Sequence, residues 1–124
     1  MINHGSVTRW LQDYVSAWKS YDPHAIRALF SEDATYRYNP YDEPVRGREA
    51  ILANWLEYRD VPNTYTAEYK PVAVDGDTAV ANGRTFYYEA DGKTLKRQYD
   101  NIFVLRFDDE GRCTEFCEWF MQPR

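Results

Sequence analysis

The sequence predicts an α+β domain, helices first and then an antiparallel sheet that they cover on one face. Two patterns carry this. In the first half apolar residues recur every three or four positions, a spacing that only a helix aligns on one side. In the second half, segments rich in Val, Thr, Tyr and Phe lie between Asp75-Gly76, Asp91-Gly92 and Asp109-Glu110-Gly111, which are turn signals. The length of 124 residues suits a single domain over 1–124. With 44% hydrophobic and 17% aromatic residues, disorder is excluded. Eleven tyrosines bring hydroxyls that need partners wherever they are buried, so a wet or ligand-lined interior is expected.

Val7, Trp10, Leu11, Tyr14, Val15, Trp18 and Tyr21 form the apolar stripe of a first helix, from about Ser6 to Ser20. Asp22 is the N-cap of a second helix with Pro23 at its first position, where the missing N–H costs nothing. Ile26, Leu29 and Phe30 are its buried side, and it is expected to stop near Ser31-Glu32-Asp33. Tyr36 to Asn39 predicts a short strand, and Asn39-Pro40-Tyr41-Asp42-Glu43-Pro44 a loop. Gly47 opens a third helix with Ile51, Leu52, Trp55, Leu56 and Tyr58 on its apolar side. A meander of four strands follows, at about 64–74, 78–90, 93–108 and 112–121.

Strand parity assigns faces. Val80, Asn82, Arg84, Phe86 and Tyr88 are bulky enough to be the helix-facing set of their strand, leaving Ala79, Ala81, Gly83, Thr85 and Tyr87 outside. Tyr99, Asn101, Phe103, Leu105 and Phe107 share the helix-facing side of the next strand, and Phe116, Glu118 and Phe120 that of the last. The opposite face carries Ile102, Val104, Cys117 and Trp119, too apolar for water, so a homodimer packed sheet to sheet is expected.

Polar groups among these phenylalanines nominate a site. Arg84 and Glu118 are expected to face one another, because a lone buried charge costs several kcal/mol. They are either a structural ion pair or a functional pair, with Glu118 as general acid or base and Arg84 holding it ionised or binding an anion. Tyr14 points inward from the first helix, its hydroxyl meeting either the core or a pocket. Tyr36, Tyr38 and Asn39 lie beside the expected pocket mouth, and Trp18 and Trp55 form an apolar wall.

Other functions are disfavoured. Fifteen Lys and Arg against twenty Asp and Glu give a net charge of -5 with no concentrated basic run, unsuited to nucleic acid. No stretch approaches the ~18 apolar residues of a membrane span, and Met1 to Ser6 has no signal design, so a cytoplasmic protein away from membranes is expected. Cys113 and Cys117 are about 13 Å apart along a strand, too far for a disulfide, and are expected as packed free thiols. His4 is expected in an N-terminal tail and His24 solvated on the second helix. No His, Cys, Asp or Glu cluster has ligand spacing and no phosphate loop is present, so neither metal nor cofactor is expected.

The segments Gln12 to Trp18, Ile26 to Tyr36, Gly47 to Ile51, Phe103 to Arg112 and Glu118 to Phe120 resemble the SnoaL-like and ketosteroid-isomerase-like branch of the nuclear transport factor 2-like superfamily. The resemblance covers nearly the whole chain and implies a cystatin-like, cone-shaped α+β barrel, with a curved sheet around a pocket, usually dimeric. The fold hosts isomerases, cyclases, hydrolases and non-catalytic binding domains. Ketosteroid isomerases use a helix tyrosine, a protonated aspartate and an aspartate base. Tyr14 matches the first, but the other positions fall at Phe103 and at Tyr38 or Asn39. Limonene-epoxide hydrolases use a carboxylate–arginine–carboxylate set with a tyrosine and an asparagine. Tyr36 and Glu118 match the tyrosine and one carboxylate, while the arginine and the other carboxylate fall near Asn82 and Arg84, where an arginine is present but displaced and an acid is absent. The cyclases' aspartate has no counterpart of suitable parity, since Asp100 faces away.

The expected function is binding of a compact, partly apolar organic molecule, with acid/base chemistry by Glu118, Arg84, Tyr14 and Tyr36. The expected lining is Trp18, Tyr38, Asn39, Trp55, Asn82, Tyr99, Asn101, Phe103, Phe116 and Phe120. The alternative is a non-catalytic binding or dimerisation module in which Arg84 and Glu118 are only a structural pair.

Overall fold

The computed structural model describes all residues, Met1–Arg124. Three helices, α1 (His4–Ser20), α2 (Pro23–Leu29) and α3 (Arg48–Glu57), cover one face of a six-stranded mixed sheet. The strands are β1 (Phe30–Arg37), β2 (Val45–Arg46), β3 (Tyr65–Asp75), β4 (Thr78–Tyr88), β5 (Leu95–Phe107) and β6 (Cys113–Met121). Their order is β2-β1-β6-β5-β4-β3. The meander from β3 to β6 is antiparallel as expected, but β1 joins β6 in parallel, which makes the sheet mixed. The sheet is open at β2 and β3, so the cone is not a closed barrel.

Helix α1 begins before Ser6. Asn3 is its N-cap, accepting from the Ser6 N–H at 2.9 Å while the Ser6 hydroxyl oxygen accepts from the Asn3 N–H at 2.9 Å. This reciprocal box places His4 in the first turn rather than in a tail. Asn3→Ala should lower stability by about 1 kcal/mol, and a chemical-denaturation midpoint indistinguishable from wild type would refute the cap. Asp22 caps α2 as expected, accepting from the His24 N–H at 3.0 Å with Pro23 behind it.

Helix α2 stops at Leu29, and Phe30 already opens β1, two to four residues before the expected helix end. Phe30, Ala34 and Tyr36 share one parity and point inward, while Glu32, of the same parity, is turned out by a register shift between Phe30 and Thr35 and is exposed like Asp33. This irregularity hides the period-2 pattern that would have marked a strand.

Strand β4 is turned the opposite way from the expectation. Ala79, Ala81 and Thr85 are buried under the helices, whereas Val80, Asn82, Arg84, Phe86 and Tyr88 face out. The cause is size matching across strands: Ala81 lies opposite Phe103, and Gly83 lies between Tyr69 and Asn101. Large rings from β3 and β5 occupy the space above β4, so β4 must present small side chains there. An added Cβ at Gly83 would lie 2.5 Å from Tyr69 Cδ1 and collide with the Glu68 carbonyl oxygen.

The core lies between α1 and the concave face of the sheet. Phe103 and Phe116, each 1% exposed, fill the narrow end together with Trp10, Leu11, Phe30 and Leu105. Cys113 and Cys117 are both free; Cys113 is buried in this core and Cys117 is half-buried on the outer face.

Candidate functional site

Above the packed base the sheet and helices diverge around a cavity of about 510 Å³, within the range typical of small-molecule sites. Its walls are mostly aromatic. Tyr36 stacks on Phe116 at 4.1 Å between ring centres, and Tyr14 lies parallel to the same ring at 5.5 Å. Their hydroxyls meet at 2.8 Å. Burial pushes both phenols well above the usual range, so both are neutral, and one of the two protons is not consumed by the pair. Trp55, almost fully buried, closes this wall edge-on to Tyr14 at 5.4 Å.

Two residues beyond Phe116 on the same strand, Glu118 projects from the inner face of β6 into the cavity. Asn101 on β5 donates its Nδ2–H to Glu118 Oε2 at 2.5 Å. Thr85 on β4 donates to Asn101 Oδ1 at 2.9 Å, and Thr85 Oγ1 lies 2.5 Å from the Tyr69 hydroxyl. Desolvation pushes the Glu118 carboxyl up to about 7, and the Asn101 hydrogen bond only partly opposes this. No cation contributes to holding it ionised. A carboxyl balanced near neutrality can both give and take a proton there.

The mouth is more polar. Trp18 stacks on Tyr65 at 4.4 Å and donates its indole N–H to Asp60 at 3.0 Å. Tyr38, 40% exposed, donates to Asn54 Oδ1 at 2.7 Å. Tyr99 and Phe120 meet edge to face at 5.4 Å along the sheet side, and the Arg97 guanidinium lies 4.6 Å over the Tyr87 ring.

Of the residues nominated from sequence, Tyr14, Trp18, Tyr36, Tyr38, Trp55, Tyr99, Asn101, Glu118 and Phe120 line this cavity. Phe103 and Phe116 lie in the core beneath it. Asn39 is in the loop after β1, its side chain accepting from the Tyr41 N–H at 3.0 Å, and does not reach the cavity.

Arg84 and Asn82 are corrections. Both lie on the outer face of β4, where Arg84 Nε is 3.4 Å from Asp100 Oδ2 and Asn82 Nδ2 is 2.8 Å from Asp100 Oδ1. The Arg84–Glu118 pair does not form, because the β4 face it required points the other way. An exposed pair such as Arg84–Asp100 contributes little to stability. Tyr69, Thr85, Asp60 and Arg97 were not nominated. Thr85 carried one available signal, a hydroxyl on the β4 face opposite to Arg84, which the larger side chains of the other face outweighed; Tyr69 lies on β3, for which parity alone assigned no face. No three His, Cys, Asp or Glu side chains converge in a metal-holding group.

Solved structures with this fold are numerous. An epoxide hydrolase of M. tuberculosis, described as LEH-like, superposes with a TM-score of 0.70 at 18% identity, over 95% of this chain and 84% of that one. An NTF-2 like protein of unknown function from Burkholderia xenovorans LB400 gives 0.71 at 15% identity, over 97% and 86%. A Kribbella flavida DSM 17836 protein assigned by name to the ketosteroid isomerases gives 0.71 at 18%, over 98% and 82%. At such identities the likeness concerns the fold. No curated protein matches in sequence. The sequence model of the SnoaL-like domain matches residues 11–116, nearly the whole of the helix-covered sheet and its cavity, and the chain therefore belongs to the SnoaL-like domain family, with the nuclear transport factor 2-like fold.

Proposed function

We propose that this protein binds a compact, partly apolar organic molecule in the aromatic cavity and processes it by general acid/base catalysis, with Glu118 as the proton-transferring group. One observation carries the reading. Glu118 is a carboxyl without a counter-charge, held near neutral pKa by desolvation in a cavity of small-molecule size. Such an arrangement is unfavourable for stability and suited to proton transfer. The Tyr14–Tyr36 pair lines the same cavity and can donate its remaining hydroxyl proton to a ligand oxygen that gains negative charge. Glu118 then takes or returns a proton on the ligand, as an isomerase-, cyclase- or hydrolase-type step requires. The epoxide-hydrolase and ketosteroid-isomerase names among the structural neighbours support this class of chemistry by analogy of fold.

Saturation-transfer NMR with a library of apolar ketones, epoxides and lactones identifies binders. Turnover of the binders by wild type and by Glu118→Gln then tests the assignment. Undiminished turnover in Glu118→Gln removes Glu118 from the chemistry. A binder that is never turned over, with an affinity indifferent to Glu118→Gln, favours a non-catalytic binding module.

A homodimer through the outer face of the sheet belongs to the same proposal. Val80, Ile102, Val104 and Cys117 lie on that face, half-buried, with Trp119 at 44% exposure beside them. Apolar positions continuing across three strands favour a second copy as the cover. Sedimentation at micromolar concentration should give twice the chain mass and Trp119→Glu the single mass; a wild-type monomer would refute the dimer.

Residues Met1–Arg124 include no helix long and apolar enough to cross a membrane.

A further inference from the structure

Setting aromatic and thiol groups aside, two polar residues are buried in this protein, Thr85 and Asn101, each 3% exposed. Both belong to a single run of hydrogen bonds ending on Glu118. Buried polar side chains are tolerated when every group in the network is satisfied, and such networks hold one arrangement. This one has a direction. An ionised Glu118 can only accept, so the Asn101 NH2 must face it, and Asn101 Oδ1 must face Thr85. Thr85 then gives its only proton to Asn101, so the Tyr69 hydroxyl must donate to Thr85 Oγ1. The geometry depends on Gly83. Tyr69 and Asn101 flank that residue on adjacent strands, and the bare backbone lets the Tyr69 ring lie across it so that its hydroxyl reaches Thr85.

We infer that Thr85 and Tyr69 are positioning residues that act on Glu118 through Asn101. They lock the Asn101 amide with its NH2 on Glu118 Oε2 and leave Oε1, which has no hydrogen bond from the protein, as the oxygen that exchanges a proton with the ligand. This rests on Glu118 being the acid/base group. Without Thr85, the Asn101 amide is free to turn over and set its own oxygen against the carboxylate, which disfavours the ionised form.

The titratable groups that share the cavity with Glu118 are Tyr14 and Tyr21 from α1 and its C-cap, Tyr36 and Tyr38 from β1 and its end, Tyr58 after α3, and Tyr69, Tyr87 and Tyr99 from the sheet. Asp60 and Arg97 are the charged groups at the mouth. None of the phenols carries a carboxyl carbon, so the assigned side-chain carboxyl signal of Glu118 reports its titration directly.

The test is 13C NMR titration of the Glu side-chain carboxyl signals in the free protein, with the Glu118 signal assigned by its absence from Glu118→Gln. The wild-type midpoint is expected at about 7. Thr85→Val should move it up by about one pH unit, because a hydrogen bond to the charged form is weakened. Thr85→Ser, which keeps the hydroxyl, should restore it, and Tyr69→Phe should move it in the same direction by less. A wild-type midpoint in folded Thr85→Val overturns the inference. If Thr85→Val does not fold, Tyr69→Phe decides alone, and an unmoved midpoint there overturns it. The titration requires no substrate, so it stands apart from the turnover test: activity surviving in Glu118→Gln refutes the acid/base reading without touching the coupling.

Discussion

Glu118→Gln is expected to melt higher than wild type at pH 8 while losing its chemistry. The stability gain follows from the missing counter-charge. With Arg84 on the outer face, the ionised Glu118 carboxylate has one hydrogen bond from Asn101 and no cation to offset its burial. Its pKa rises from 4.5 in an ordinary environment to about 7 here. Between these values the folded protein keeps a proton that the unfolded chain has already released. The folded state therefore loses stability as pH rises through this window, with the full penalty present above about 7 and none below about 4.5. The difference amounts to roughly 3 kcal/mol, on the order of 10 °C in Tm for a domain of this size. A glutamine never ionises and its amide oxygen can still accept from Asn101, so the variant should match wild type near pH 4.5 and exceed it at pH 8. Calorimetry at the two pH values tests this. A variant that melts lower at both would reinstate a buried charged pair, which leaves an uncompensated group when one partner is removed. Turnover, once a substrate is in hand, should fall by about 10²–10⁴. Stability gained as activity is lost is the expected signature of a strained functional group.

Gly83→Ala is expected to be the most damaging of the small substitutions. A methyl at this position would overlap the Glu68 carbonyl oxygen and lie 2.7 Å from Tyr69 Cα. Backbone cannot swing aside as the end of a flexible chain can, so the β3–β4 pairing must part or Tyr69 must move. Overpacking of this kind costs about 3 kcal/mol or more. The same movement would draw the Tyr69 hydroxyl off Thr85. Urea denaturation should show a midpoint well below wild type, and a folded fraction of the variant should titrate Glu118 higher. A variant as stable as wild type would mean that β3 and β4 are not packed this closely.

The helices and the turns of the meander are readable in the sequence because helix and turn signals are local. The α1 stripe, the Asp22-Pro23 start of α2 and the glycine turns each need only a few neighbouring residues. Where the end of α2 was misplaced, a non-local pairing had prevailed. Phe30 to Arg37 becomes a strand because β6 lies beside it in parallel, and the register shift there removes the alternation that would announce it.

The site divides the same way. Tyr14, Asn101, Glu118 and the aromatic wall were legible, since α1 has one apolar stripe and in β5 and β6 the phenylalanines gather on one face, the bulkier of two apolar ones. In β4 both faces carry apolar residues, and size pointed to the wrong one. Period-2 alternation separates a strand into two sets but does not say which set is inside. That was decided by the volume already taken up by Tyr69 and Phe103 on the neighbouring strands, which leaves room only for Ala81, Gly83 and Thr85. The sequence by itself determined the three helices, the four-strand meander and the family resemblance, but neither the extent of β1 nor the presence of β2. The tertiary structure alone decided that Glu118 faces Asn101 rather than Arg84, because the partner of a buried charge depends on packing between strands, which no single segment encodes.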